Sequence, residues 1–277
     1  MIDSHFHVWD PRARAHEWLA SEPQLNRRFW IDDFRALAQA NDIEGAVLVQ
    51  VLNDFDETTE FLALAARHDL IAGVVGWIDL EGDVAGQLAA LRAKPGGDRL
   101  VGIRHLVQDE ADPNYLDRPS VVRGIEAVGR AGVAYDVLVR PPQLPAALRL
   151  ARRADNQLLV LDHAAKPSIA RGDTGGAWST YVAQLASLEH VMCKLSGLVT
   201  EAGPTWAKDQ ILPYAELLLD WFGPERLVFG SDWPVCSAVA RYEDVVNLAK
   251  EACASLSPSE QEAVFSANAR RVYRLGA

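Results

Sequence analysis

Short apolar, β-branched runs alternate along this chain with longer stretches whose apolar residues recur at helical spacing. The runs read as strands at Ile2–Val8, Ala46–Val51, Ile71–Trp77, Leu100–His105, Val133–Leu138, Gln157–His163, His190–Leu195 and Leu227–Ser231. Amphipathic stretches lie between them, at Asp32–Asn41, Thr58–His68, Val84–Ala93, Ser120–Gly129, Gln143–Ala154, Ala177–Ser187, Trp206–Phe222 and Tyr242–Ala254. This alternation predicts βαβ units and a parallel sheet, an α/β fold. Eight strands, each followed by a helix, is the count of a (β/α)8 TIM-like barrel. A doubly wound open sheet is the alternative, weakened because no GxGxxG turn follows the first strand. The tail Pro258–Leu275 reads as a final helix closing the bottom of the barrel.

Length and composition narrow the picture. The 277 residues fit a single barrel domain spanning 1–277, with no repeat and no linker longer than a loop. A net charge of −11 argues against nucleic acid and against an anionic membrane surface. Three widely spaced cysteines, Cys193, Cys236 and Cys253, form no CxxC and no even framework. They predict a reduced, cytoplasmic protein with no disulfides. No leader and no apolar run long enough to span a bilayer is visible.

The candidate chemistry starts at the N-terminus, in Asp3-Ser4-His5-Phe6-His7. On a strand, alternation points His5 and His7 the same way with Asp3 behind them. Two such imidazoles can hold one metal ion or polarise one substrate. Active-site groups of a (β/α)8 barrel sit at the C-terminal strand ends. Here those ends carry Arg104-His105, Asp162-His163 with Lys166 beyond, Lys194, and Asp232. Each has a bland reading beside the functional one. Asp232 could cap the turn before Pro234. Arg104 could be an ion-pair partner of Asp162. Lys166 and Lys194 could snorkel to solvent. Arg104 and His105 alternate, so one of them faces the mouth, and Arg104 is favoured. Trp9 and Trp233 follow active strands, so they wall a pocket or fill the core.

Taken together, Asp3–Pro11, Val101–His105, Leu161–Pro167, Lys194–Gly197 and Phe229–Pro234 resemble the amidohydrolase superfamily. The match is to its lactonase-like branch, which contains pyrone-dicarboxylate lactonases and the sugar-lactone hydrolases of fucose and rhamnose breakdown. The resemblance implies a (β/α)8 barrel that hydrolyses a cyclic ester. It carries over to His5, His7, His163 and Asp232, which would hold one divalent ion such as zinc, or would work with no metal. Strand four lacks an obvious bridging lysine or glutamate and strand five lacks a histidine, so a two-metal site is doubtful. Asp232 is then the general base. His5 and His7, with Lys194 or Arg104, stabilise the oxyanion. Arg104, Trp9, Lys166 and Trp233 are the expected substrate contacts. Only Arg104, with Arg140 or Arg171, is available for a dianion, which favours a sugar lactone resembling fuconolactone over a pyrone dicarboxylate. The rival readings are a metal-dependent decarboxylase of the same superfamily and a non-catalytic sugar-acid binding barrel. A monomer or small homo-oligomer is expected.

Overall fold

In the computed structural model, which describes residues 1–155 and 157–276, eight parallel strands follow one another around a sheet in sequence order. They are β1 (Ile2–Phe6), β2 (Gly45–Val49), β3 (Ile71–Gly76), β4 (Leu100–His105), β5 (Ala134–Val137), β6 (Leu159–Leu161), β7 (Val191–Leu195) and β8 (Leu227–Phe229). The ring closes just past the ends of β1 and β8. Phe6 bridges Trp233 in parallel, the His7 amide donates to the Trp233 carbonyl at 2.7 Å, and the Asp232 amide donates to the His5 carbonyl at 2.9 Å. The seam of the barrel is therefore made by the residues that carry the candidate chemistry.

The helices are α1 (Ile31–Ala40), α2 (Phe55–Ala65), α3 (Val84–Arg92), α4 (Pro119–Arg130), α5 (Leu144–Arg153), α6 (Gly176–Ala186), α7 (Leu198–Ala202), α8 (Lys208–Phe222), α9 (Tyr242–Ala252), α10 (Pro258–Glu262) and α11 (Asn268–Val272). Two features were not expected from periodicity. The β1–α1 connection contains 3-10 turns at Glu17–Ser21 and Pro23–Leu25, and the short α7 follows β7. Both are too short to show a helical repeat.

Six strands stop sooner than the apolar runs suggested, β3 and β5 by one residue and the others by two. β1 ends at Phe6 rather than Val8, β2 at Val49 rather than Val51, β6 at Leu161 rather than His163, and β8 at Phe229 rather than Ser231. After β6 the backbone turns left-handed: His163, Ala164, Ala165 and Lys166 have φ of 50°, 51°, 57° and 53°. Asp232 is also left-handed, with φ 58°. Ladder pairing cannot continue through such residues.

Inside the barrel, period-two alternation stacks side chains in layers. The lower layer is apolar, with Ile2, Val47, Val75, Val160, Met192 and Val228 meeting Tyr273 and Leu275 of the C-terminal segment. That segment plugs the bottom, as the tail suggested. Two residues further along the strands the inward side chains become Asp136, Asp162 and Lys194. No helix among the described residues is long and apolar enough to cross a membrane. The three cysteines are buried and unpaired.

One loop at the mouth is held by a buried carboxylate. Asp54 caps α2, accepting from the amides of Asp56 and Glu57. The Glu57 side chain folds back, and its Oε2 accepts from the amides of Val51 and Leu52 at 2.8 and 2.9 Å. Burial pushes this carboxyl up to about 7, against the pull of those two amides. Glu57→Ala leaves both amides unpaired and is expected to lower stability by about 3 kcal/mol in chemical denaturation. Glu57→Gln keeps an uncharged acceptor and should lose less than half of that. Equal losses would show that the two hydrogen bonds are not what holds the loop.

Candidate active site

Three histidines and one carboxylate meet at the C-terminal mouth. His5 lies on β1, His7 just past it, His163 in the left-handed turn after β6, and Asp232 after β8. Their Nε2 atoms face Asp232 Oδ1 at 3.8 Å from His5, 3.4 Å from His7 and 3.7 Å from His163. The His5 and His7 Nε2 atoms are 3.1 Å apart. Two glycines make this approach feasible. A Cβ on Gly230 would lie 2.8 Å from the His5 Cβ, and one on Gly197 would lie 2.7 Å from His163 Nδ1. Gly197 also has φ 68°, which favours glycine. Gly197→Ala is expected to displace the His163 ring and reduce turnover by at least about tenfold. A variant with wild-type kcat would show that the ring needs no such clearance.

The hydrogen-bond network assigns the His7 proton. A carbonyl only accepts, so His7 Nδ1, 2.8 Å from the Val49 oxygen, carries the proton, and its Nε2 presents a lone pair. His5 Nε2 lies 3.1 Å from His7 Nε2 and 3.2 Å from Arg104 Nη1, and His5 Nδ1 lies 3.1 Å from Lys194 Nζ, so two donor-only cations compete for the one lone pair of the neutral His5 ring. His5 Nδ1 has an alternative neighbour, Asp162 Oδ1 at 3.6 Å, which would accept its proton if both Nε2 lone pairs faced a cation. His163 is oriented by Ser196, whose Oγ is 2.8 Å from Nδ1.

Burial keeps the three imidazoles neutral. It holds His5 well below the ordinary imidazole value, aided by the Lys194 charge; it lowers His7; and it lowers His163 to about 4. Burial pushes Asp232 the other way, but attraction to the neighbouring rings in their protonated forms, His163 first and then His7, overrides it, so its carboxyl ionises well below the usual carboxylate range. At neutral pH the mouth therefore holds one ionised carboxylate among three neutral rings.

That donor set fits a single divalent ion. Zinc bonds of 2.0–2.2 Å in tetrahedral geometry place ligand atoms about 3.3 Å apart, and the His5, His7 and Asp232 atoms already lie near that spacing, with His163 Nε2 3.7 Å from the carboxylate. His5, His7 and Asp232 form one compact ligand group, and His5, Asp162 and His163 form another that shares His5.

Beneath the mouth lies a fully buried charge network. Lys194 Nζ is 2.5 Å from Asp136 Oδ2 and 2.8 Å from Asp162 Oδ1. Arg104 Nη1 is 2.8 Å from Asp162 Oδ2 and 3.2 Å from His5 Nε2. Its Nη2 donates to the Gln50 carbonyl at 2.6 Å and to Gln50 Oε1 at 3.0 Å. The Tyr273 hydroxyl rises from the bottom plug to Asp136 at 2.9 Å.

The geometry redistributes several expected roles. Arg104 faces inward, as favoured, but its guanidinium is engaged with Asp162 and Gln50, the ion-pair reading. Lys194 is wholly buried and reaches the mouth only through His5. The Trp9 ring packs edge-on against Trp18 and Phe29, its Nε1 donating to the Leu25 carbonyl. Trp233 packs on Phe29 and Phe34. Both indoles are core, because the β1–α1 connection folds over them. Asp3 does not extend the histidine row. The β1–β2 register is irregular between Asp3 and Phe6, and Asp3 accepts instead from Tyr242 Oη and the Ser231 amide. His105 faces away from the mouth. It accepts from Trp77 Nε1 at 3.0 Å and its Nε2 lies 2.8 Å from Glu110 Oε1. Asp136, Gln50 and Ser196 were not singled out from the sequence. Asp136 was the most legible, two residues past inward-facing Ala134.

The chain matches the amidohydrolase family model over residues 2–275. It is 41% identical to an L-fucono-1,5-lactonase of Burkholderia multivorans, covering 99% of this chain and 96% of that one. It is 37% identical to an L-fucono-1,5-lactonase of Burkholderia ambifaria, covering 99% and 95%. A crystal structure of a Burkholderia multivorans amidohydrolase with bound zinc superposes with a TM-score of 0.94 at 39% identity, covering 99% of each chain. With the family match running from one end of the barrel to the other and curated relatives sharing nearly its whole length, the chain belongs to the amidohydrolase family.

Proposed function

We propose that this protein hydrolyses a sugar-acid lactone of the L-fucono-1,5-lactone kind to the free aldonic acid. The observation that carries the reading is the ionised Asp232 carboxylate set among three neutral imidazoles at the mouth, in a chain 41% identical to a curated lactonase. Lactone opening needs a deprotonated water, a polarised carbonyl and a proton for the departing ring oxygen. Asp232 Oδ1 faces the imidazoles, which leaves Oδ2 to take the proton of the attacking water. The water oxygen bonds to the carbonyl carbon, and collapse of the tetrahedral intermediate breaks the ring C–O bond. The Asp232 proton then goes to the alkoxide. Arg104, 3.2 Å from His5 Nε2, places a fixed positive charge under the site where the oxyanion forms. His5, His7, His163 and Asp232 are the residues that would hold zinc, which when bound lowers the pKa of water and polarises the carbonyl.

The test is acid release from a panel of sugar lactones, L-fucono-1,5-lactone first, with and without chelator. Hydrolysis above the spontaneous rate supports the reading. Loss on chelation with recovery on adding zinc would assign the ion to the four-residue cluster, and no acid release from any lactone would overturn the proposal.

A further inference from the structure

Lys166 closes the left-handed turn that begins at His163. Four successive non-glycine residues at positive φ are each unfavourable, so the turn is held by its surroundings, which fix where His163 and Lys166 are placed. Glu201 lies on α7, four residues past Gly197, whose backbone abuts the His163 ring. The helix packs against the Ile169–Arg171 turn that follows Lys166. The two loops therefore bring a cation and a carboxylate to the same side of the mouth.

Both side chains are half-buried, and no hydrogen bond or ion pair engages either of them among the described residues. Each nonetheless senses the other's charge, and Asp232 acts on both. Burial lowers the Lys166 pKa and raises that of Glu201, and each group partly offsets the shift of the other. No hydrogen bond or ion pair joins the ammonium to the carboxylate, so each keeps hydrogen-bonding capacity for a ligand. A group that suits both at once is a hydroxyl, which accepts from the ammonium and donates to the carboxylate. A carboxylate ligand would be repelled by Glu201, and an ammonium ligand by Lys166. The indoles of Trp9 and Trp233 are buried in the core, so neither offers a stacking face here.

We infer that Lys166 and Glu201 form a clamp on one hydroxyl of the sugar lactone, a specificity element beside the Asp232 site. The inference rests on the lactonase reading above. Arg140 is exposed, and its charge also acts on both Lys166 and Glu201.

The experiment measures kcat/KM of wild type, Glu201→Gln and Lys166→Met on L-fucono-1,5-lactone and on its 2-, 3- and 4-deoxy analogues. Both variants should lose about 10- to 100-fold on the parent lactone, the scale of a hydrogen bond to a charged group. On one deoxy analogue, the same for both variants, the loss should be at least about tenfold smaller. A loss of folding would lower all substrates alike, so this ratio is independent of it. Equal losses on every lactone would overturn the clamp. So would inhibition by simple carboxylates that Lys166→Met abolishes and Glu201→Gln strengthens, since that pattern marks an anion site. Absence of hydrolysis by the wild type would instead remove the lactonase reading itself.

Discussion

Asp232→Asn is expected to lower kcat for lactone hydrolysis by two to four powers of ten, the usual contribution of a positioned general base. The substitution is nearly isosteric. Asparagine keeps an oxygen toward the imidazoles and an amide proton toward its surroundings, and the left-handed backbone at φ 58° is one that asparagine tolerates. What it removes is the proton acceptor. Steady-state kinetics should therefore show the loss in kcat, with KM changed far less, because water activation belongs to the transition state rather than to ground-state binding. The seam hydrogen bond from the residue 232 amide to the His5 carbonyl is a backbone contact and survives. Thermal unfolding should stay within a few degrees of wild type. Turnover within threefold of wild type would remove Asp232 from the role of base.

Lys194→Met should have the largest effect on stability. The ammonium lies between Asp136 and Asp162, and all three side chains are fully buried. Removing it leaves carboxylates in a site that cannot solvate them, a change that typically costs about 3–5 kcal/mol. For a chain of this size that corresponds to a melting temperature lower by roughly 10 °C. The loss should depend on pH, with a definite sign. Burial already raises Asp136 to about 6, against the pull of Lys194, above the 3.8 of the unfolded chain. Between those values the folded state binds the proton more tightly than the unfolded state, so stability falls as pH rises through that window. Without the ammonium Asp136 shifts further upward and Asp162 rises from its lowered value, because Lys194 is the largest attraction opposing burial for each. The deficit of Lys194→Met should accordingly be smaller at pH 5 than at pH 8. Equal deficits at the two values would show that the cost is packing rather than charge. Activity should fall as well, since Lys194 Nζ, 3.1 Å from His5 Nδ1, helps to hold that ring in place.

The barrel was legible because its strands are short apolar runs separated by amphipathic helices. Burial on both faces imposes that pattern on any parallel sheet. All eight strands were found at their expected places, with errors confined to the ends. At β6 and β8 the errors fell where function takes over from pairing: at His163 and Asp232, strand-like composition gives way to left-handed backbone. Composition records which residues favour a pleat, and it carries no signal for four successive residues held at positive φ by their neighbours.

The candidate site was partly legible for a related reason. His5, His7, His163 and Asp232 stand out because polar side chains at the ends of buried strands need an explanation. Their convergence on one point depends on ring closure between β1 and β8, which are more than 200 residues apart. The fates of Arg104, Lys194 and Trp233 also depend on partners distant in sequence. Asp162 lies 58 residues from Arg104, and Lys194 lies 189 from His5. The sequence by itself determined the strand–helix order, the inward alternation and the set of groups able to do chemistry, because these follow from local periodicity. The tertiary structure decided which of those groups reach the mouth and which neutralise one another below it. That choice is made by charge pairing and packing among residues that only the closed barrel brings together.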